Sequence, residues 1–209
     1  PVIGVHAAMT AILLPTLLTN AWQTLAGPDL GGLLRRLWPL LAGLCVGTLL
    51  AGEVLVRASE AAVGAVLGVT LLVYVATSLT RFAPRTPWAG ERWLSPLAGL
   101  ATGALAGTTG TFVVPSVIYM RSLDWSRDLL VQGMGLVFLT GTLILTASLG
   151  RIGFLEADLA SLSLAGVAPA LAGVWLGQRL RRRLSARAFH HWMLLVLATI
   201  GAHLLLAAV

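Results

Sequence analysis

The sequence predicts an all-α protein that crosses a membrane several times. Of its 209 residues, 57% are hydrophobic and 11% are charged, and the mean hydropathy is +0.90. A soluble domain carries about 25% charged residues, so this chain has too few charges to cover a surface that faces water. Disorder is also excluded, because it requires low hydrophobicity and high charge. Seven apolar runs and an internal repeat then predict the architecture.

The apolar runs are separated by short polar gaps. Six of them are 19 to 21 residues long, which fits single helical crossings of a hydrocarbon core about 30 Å thick. The seven runs cover residues 2–21, 38–56, 61–79, 94–120, 129–149, 159–178 and 189–209. Tryptophans lie at or near the run ends, as in an interfacial aromatic belt: Trp22, Trp38, Trp93, Trp125 and Trp192.

The fourth run, residues 94–120, differs from the others in composition. Gly107, Gly110 and Pro115 disfavour a continuous helix, and threonines lie between them. One interpretation is close helix packing through small residues, which is common in membranes. The other is a broken segment that lines a polar cavity, because unpaired peptide groups cannot face lipid.

The distribution of arginine favours the broken segment. All 14 basic residues are arginine. If all seven runs cross the membrane, the two sides carry 6 and 8 of them, whereas a fourth run that re-enters on one side gives 12 and 2. The positive-inside rule favours the second arrangement. It predicts a re-entrant hairpin, with the loops around Arg35, Arg85, Arg121 and Arg182 in the cytoplasm and the C-terminus outside.

The excess of basic residues also bears on partners. A net charge of +6 would suggest nucleic acid in a soluble protein. Here the arginines lie between apolar runs, where they contact lipid headgroups. The sequence therefore predicts the lipid bilayer as a partner and no nucleic acid.

An internal repeat indicates how the runs are organised. A shift of 126 positions places residues 41–79 on residues 167–205, and it aligns Gly47 with Gly173, Arg57 with Arg183, and Ser59 with Ser185. The predicted division is a first repeat at 1–80, a cytoplasmic linker at 81–93 and a second repeat at 94–209. Each repeat has three transmembrane helices and a Gly-rich hairpin, so the two are inverted, which is a transporter pattern. The first hairpin is expected upstream of Pro1.

The chain resembles the TauE/SafE family of sulfite and organosulfonate transporters over nearly its whole length. The resemblance is strongest at 103–115, and it extends to 15–23, 34–39 and 175–185. Many members have a Gly-Gly run where this chain reads Thr108-Thr109-Gly110-Thr111. The resemblance implies a secondary transporter of small sulfur-containing anions or carbon acids, located in the bacterial inner membrane. A homo-oligomer is possible.

The candidate binding residues follow from what an anion needs when it leaves water. No arginine, lysine or histidine lies near the middle of a run, so backbone N–H groups and hydroxyls must replace the hydration shell. The broken segment supplies the first set of candidates: Gly107, Thr108, Thr109, Gly110, Thr111, Phe112 and Pro115.

Polar residues in two other runs form a second set. Thr19, Asn20 and Gln23 end the first run, and the repeat roughly aligns Thr140 and Thr142 of the fifth run with them. The alternative for threonine is a hydroxyl that bonds its own helix backbone.

Enzymatic function is not expected. The sequence contains no His-Glu-x-x-His, Gly-x-Ser-x-Gly or P-loop motif. With a single cysteine, Cys45, it also lacks a thiolate cluster for zinc. We therefore expect no metal or cofactor. A membrane scaffold or assembly protein and a passive anion channel remain as alternatives to a transporter.

Overall fold

The computed structural model describes residues 5–79, 88–151 and 186–208, together with individual positions between 164 and 179. The loops around Arg85 and Arg182 lie outside the described residues. The described elements are all helices: α1 (Val5–Leu25), α2 (Leu30–Arg57), α3 (Glu60–Leu79), α4 (Trp88–Thr109), α5 (Ser116–Arg121), α6 (Arg127–Arg151) and α7 (Ala186–Ala208). The predicted all-α class is confirmed.

Polar side chains mark where several helices begin. The Asp29 carboxylate accepts the N–H of Gly32 at 2.8 Å, so α2 begins eight residues before the apolar run at Trp38. Ser59 and Ser126 cap α3 and α6 in the same way, at 3.2 and 3.3 Å. A side-chain oxygen at this position satisfies an N–H that has no partner within the helix.

Four of the described helices are long and apolar enough to cross a membrane. Their candidate spans are Leu30–Gly52 in α2, Ala61–Leu79 in α3, Arg127–Ser148 in α6 and His191–Ala208 in α7. The prediction of a polytopic membrane protein is therefore confirmed.

The chain folds into two compact units, residues 16–58 with 83–156 and residues 1–15 with 59–82 and 157–209. We call the first the hairpin unit, because it contains α4 and α5, and the second the α3–α7 unit. Each contains segments from both sequence repeats. The division into repeats remains a prediction.

Glycines bring α2 and α4 together in the hairpin unit. A Cβ at Gly99 would collide with the backbone carbonyl of Leu40, and a Cβ at Gly103 would collide with that of Leu44. In the same way, a Cβ at Gly43 or Gly47 of α2 would collide with the carbonyl of Pro96 or Leu100 in α4. Backbones approach this closely only where both helices carry small residues. Since residue numbers rise together along both helices, α2 and α4 are parallel.

Helix α6 is also parallel to α2. Gly133 lies against Leu33 near the start of both helices, and Gly52 lies against the Ser148 hydroxyl near their ends. The helices α2, α4 and α6 therefore begin at one end of the hairpin unit, which we call the arginine end. Arg57 and Arg151, the last residues of α2 and α6, lie at the other.

The α3–α7 unit is built around an antiparallel helix pair. Gly64 contacts Leu204, whereas Gly68 contacts Gly201, so residue numbers rise in opposite directions. A shift of 126 positions converts residues 60–79 of α3 into 186–205, which lie in α7. Antiparallel packing of equivalent helices is the direction that an inverted repeat requires. The inverted repeat itself stays a prediction.

We expect Gly103→Ala to destabilise the protein, because the added Cβ enters the backbone of α2. Overpacking of this kind costs about 1–3 kcal/mol, and thermal unfolding in detergent reports it as a lower midpoint. Gly31→Ala is the matched control, since nothing lies within 4 Å of a Cβ at Gly31. Equal midpoints for the two variants would contradict the glycine contact.

We expect cysteines at Arg35 and Arg121, placed singly in a Cys45→Ala background, to react with an impermeant thiol reagent from the same side of the membrane. A cysteine at Arg151 should react from the opposite side. All three positions are exposed. Labelling of Arg35→Cys and Arg121→Cys from opposite sides would contradict the re-entrant hairpin.

Candidate functional site

The Gly-rich segment is broken at Gly110. The N–H of Gly110 still donates to the carbonyl of Ala106 at 2.7 Å, but its φ of 71° ends α4. That left-handed conformation is readily adopted by glycine and costly for residues with a Cβ. Residues 111–113 are irregular, the Val114–Pro115 peptide is cis, and α5 begins at Ser116. We call residues 110–115 the break loop.

After the break the chain turns back to the arginine end. Tyr119 of α5 lies beside Ser95 and within electrostatic range of Glu91 and Arg36, at the start of α4 and α2. The Arg36 guanidinium lies 5.4 Å from the centre of the Trp125 ring, just before α6. The two ends of the segment are therefore close in space, as a hairpin requires.

The break loop leaves backbone donors without partners. The N–H of Thr111 reaches only the Thr109 hydroxyl, at 3.3 Å. Among the residues that the structure describes, the N–H groups of Phe112, Val113 and Val114 donate to no acceptor. Phe112 and Val114 are 7% and 6% exposed. Val113 between them is half-buried. Backbone N–H groups away from water are nearly always paired, so this run of N–H groups suits an incoming acceptor.

The threonine hydroxyls next to the break are bonded locally. Thr108 donates to the carbonyl of Leu105 at 2.8 Å, and Thr109 donates to the same carbonyl at 2.7 Å. This is the alternative that the sequence left open, in which a threonine bonds its own helix. The Thr109 oxygen also accepts from Thr111, so these hydroxyls shape the break.

Gly107 lies in the helix interface. A Cβ there would come within 2.7 Å of Ala51 and 3.0 Å of the Gly52 nitrogen. The close-packing interpretation therefore describes Gly107, whereas the broken-segment interpretation describes Gly110 to Pro115.

Phe112 connects the break loop to the fifth apolar run. A Cβ at Gly141 would overlap the Phe112 ring, so the absence of a side chain at Gly141 makes room for the ring. Gly141 lies near the middle of α6, between Thr140, which is half-buried, and Thr142, which is 3% exposed. Thr140 and Thr142 are thus the sequence neighbours of the residue that contacts the break loop, and their role in binding remains a prediction.

The candidates in α1 lie along α6. Gly135 packs against Gln23, and Gly27 packs against Gln132, so α1 and α6 are antiparallel. Asn20 is 6% exposed, one turn before Gln23 and therefore toward the level of Thr140. Gln23 itself is exposed, and the Thr19 hydroxyl donates to the carbonyl of Thr16 at 3.1 Å. The hydrogen bond described for Thr19 therefore runs within its own helix.

Gln132 has a structural role that its position near a run end does not reveal. Its amide nitrogen donates to the carbonyl of Thr24 at 2.9 Å, and its amide oxygen accepts from the N–H of Asp29 at 3.0 Å. It is 1% exposed. One side chain therefore satisfies the backbone on both sides of the turn between α1 and α2.

Sequence reasoning missed the arginine end as a candidate site. Arg36 makes a two-pronged ion pair with Glu91, with Nη2–Oε1 at 2.6 Å and Nε–Oε2 at 3.0 Å. The side chains are 27% and 12% exposed. The sequence identified Arg36 as a topology signal only. Because Arg36 and Glu91 are 55 residues apart, their pairing leaves no local pattern in the sequence.

Within the part of the chain that the structure describes, no group of three or more His, Cys, Asp or Glu side chains could hold a metal ion. The break loop offers N–H donors, which bind anions rather than cations.

We expect Gln132→Met to lower the free energy of unfolding by about 1–3 kcal/mol, because it leaves the part-buried N–H of Asp29 and the buried carbonyl of Thr24 unpaired. Thermal or denaturant unfolding in detergent measures the loss. Val131→Met is the control, since Val131 is 42% exposed. A Gln132→Met variant as stable as the control would show that the two hydrogen bonds do not support the turn.

Comparison with known families gives one result. The family model described as Sulfite exporter TauE/SafE matches residues 2–204. Neither the curated proteins nor the solved structures contain a match to the chain. With nearly the whole chain matched and apolar helices of spanning length, the protein is an integral membrane protein, and it belongs to the TauE/SafE family of sulfite exporter-type membrane permeases.

Proposed function

We propose that this protein is a secondary transporter of small sulfur oxyanions, sulfite or organosulfonates, and that the break loop binds the anion. It carries out no catalysis and operates in the inner membrane of a bacterium. The observation behind this assignment is the run of unpaired N–H groups at Phe112, Val113 and Val114, of which Phe112 and Val114 are buried residues.

The chemistry of the substrate matches these donors. Sulfite and sulfonate oxygens carry negative charge and accept hydrogen bonds. Before transport, water donates those hydrogen bonds and stabilises the charge. A hydrogen bond to a charged group contributes about 1.5–3 kcal/mol, so several N–H donors offset much of the lost hydration. Because peptide donors carry no net charge, the bound anion can also leave, which a carrier requires.

Side chains around the loop complete the proposed site. The Phe112 ring packs on Gly141, and we assign substrate contact to the two threonines next to Gly141 in α6, Thr140 and Thr142. Asn20 supplies an amide toward the same level of α6. Thr109 supports the loop by accepting the N–H of Thr111.

The alternative of a non-transporting scaffold has one observation in its favour. The glycines of α2 and α4 serve helix packing, and so does Gly107. Packing does not account for the unpaired N–H groups of the break loop, because those residues lie beyond the helix interface. A passive channel uses the same donors and differs only in being unable to concentrate its substrate.

We expect the protein in proteoliposomes to take up labelled sulfite against a gradient. Gly141→Ala should reduce the initial rate about tenfold, as expected if one or two charge-assisted hydrogen bonds are misplaced, because the added Cβ displaces Phe112. Gly31→Ala should transport at the wild-type rate.

Replacement of Thr109 and Gly110 by leucine separates transporter from scaffold. Lost uptake in a monodisperse, folded variant supports the transporter. If the wild type moves none of a panel of sulfur oxyanions, the substrate class is wrong. Uptake that only equilibrates the anion identifies a channel.

A further inference from the structure

The arginine end of the hairpin unit gathers side chains from four segments. Arg36 comes from α2, Glu91 and Ser95 come from α4, Tyr119 comes from α5, and Trp125 precedes α6. Arg36 contacts Glu91 through two hydrogen bonds and Trp125 through its ring face. Tyr119 lies next to Ser95 and in the field of both ionised groups. The cluster lies at the base of the hairpin, where the start of α4 is close to α5.

Two donors in this cluster are buried and lack partners. The Ser95 hydroxyl has none although the residue is 1% exposed, and the indole Nε1 of Trp125 has none either. The Tyr119 side chain lies beside Ser95. An indole N–H can only donate. A buried polar group without a partner is unfavourable, so an acceptor oxygen placed here is favoured.

The Glu91 carboxylate shows which ligand fits the guanidinium. Its two oxygens lie on Nη2 and Nε of Arg36 at 2.6 and 3.0 Å. Paired oxygens of this spacing also occur in sulfite and sulfonate, and the arginine fork binds carboxylate and other oxyanions in the same two-pronged way. Glu91 therefore occupies the position that a free oxyanion would take.

We propose that the arginine end is a second oxyanion-binding site, at which the transported anion displaces Glu91 from Arg36. This inference rests on the proposed function. The Trp125 ring holds the guanidinium in place when the carboxylate leaves. Two anion oxygens then pair with Arg36, while Ser95, Tyr119 and the indole N–H of Trp125 donate to the anion.

The second site is separate from the break loop. Ser95 and Gly110 are fifteen residues apart on a helix that ends between them at Thr109, which is about 22 Å of axial rise. An anion held at the arginine end is thus one hairpin length from the break loop. The Arg36–Glu91 pair controls entry, because the anion must compete with a carboxylate that is already bound.

The test compares the two partners of the ion pair. We expect Glu91→Gln to lower the KM for sulfite uptake several-fold, because Arg36 no longer has a charged competitor. Arg36→Gln should raise KM roughly tenfold or more, in line with the loss of charged hydrogen bonds. Trp125→Phe keeps a ring over Arg36 and removes the indole N–H, so it should raise KM by a smaller factor.

Sulfite-induced stabilisation gives a readout besides transport. The thermal midpoint of the purified protein in detergent should rise with sulfite more strongly in Glu91→Gln than in the wild type, and less in Arg36→Gln. Arg35→Gln and Arg92→Gln remove exposed neighbouring charges and should leave KM and the midpoint shift at wild-type values.

A purely structural ion pair predicts a different pattern. Loss of either partner would then change KM in the same direction, and this result, or unchanged KM in both variants, would overturn the proposal. If these variants fail to fold, Arg36→Lys and Glu91→Asp preserve the charges and must still shift KM in opposite directions. Failure of the wild type to transport sulfur oxyanions would instead overturn the proposed function.

Discussion

The close approach of α2 and α4 is the contact on which the hairpin unit depends. In lipid, apolar surface gains little from leaving its surroundings, so helices associate through van der Waals contact and hydrogen bonds. Gly43 and Gly47 on one helix and Gly99 and Gly103 on the other leave four positions of the interface without a Cβ. The backbone of each helix then lies against the carbonyls of its partner. This contact fixes α4 as far as Gly107, shortly before Gly110 ends the helix.

A fixed α4 makes the break in the chain possible. Beyond Gly107 the glycine contact with α2 ends, and three residues later Gly110 adopts a left-handed conformation. The loop that follows is covered by its own Phe112 ring packed on Gly141. Irregular backbone is tolerated at membrane depth only where protein or water surrounds it. The same arrangement leaves peptide N–H donors unpaired. The turn at Gly110 that ends α4 therefore also creates the anion site that we propose.

The arginine end follows from the same geometry. Because α2, α4 and α6 are parallel, their first turns meet, and the return of the chain through α5 adds Tyr119 and Trp125 to the group. A charged arginine is too costly near the middle of a membrane helix, but it is acceptable here beside a carboxylate and an indole ring. In the mechanism that we propose, Arg36 holds a permanent positive charge at the edge of the hairpin unit, and the break loop offers uncharged donors.

The sequence by itself determined the all-α membrane class and the family, because these depend on composition and on motifs. It indicated a break in the fourth run but not its position, since Pro96, Gly99 and Gly103 lie within α4 and only Gly110 ends it. The tertiary structure decided which neighbours of the break serve packing and which leave donors unpaired. Gly107 and Gly110 look alike in sequence, yet one faces Ala51 and the other has a φ of 71°. Only the fold joined Arg36 to Glu91 and Gln132 to the α1–α2 turn, because a contact between residues 55 or 103 positions apart leaves no periodic pattern in the chain.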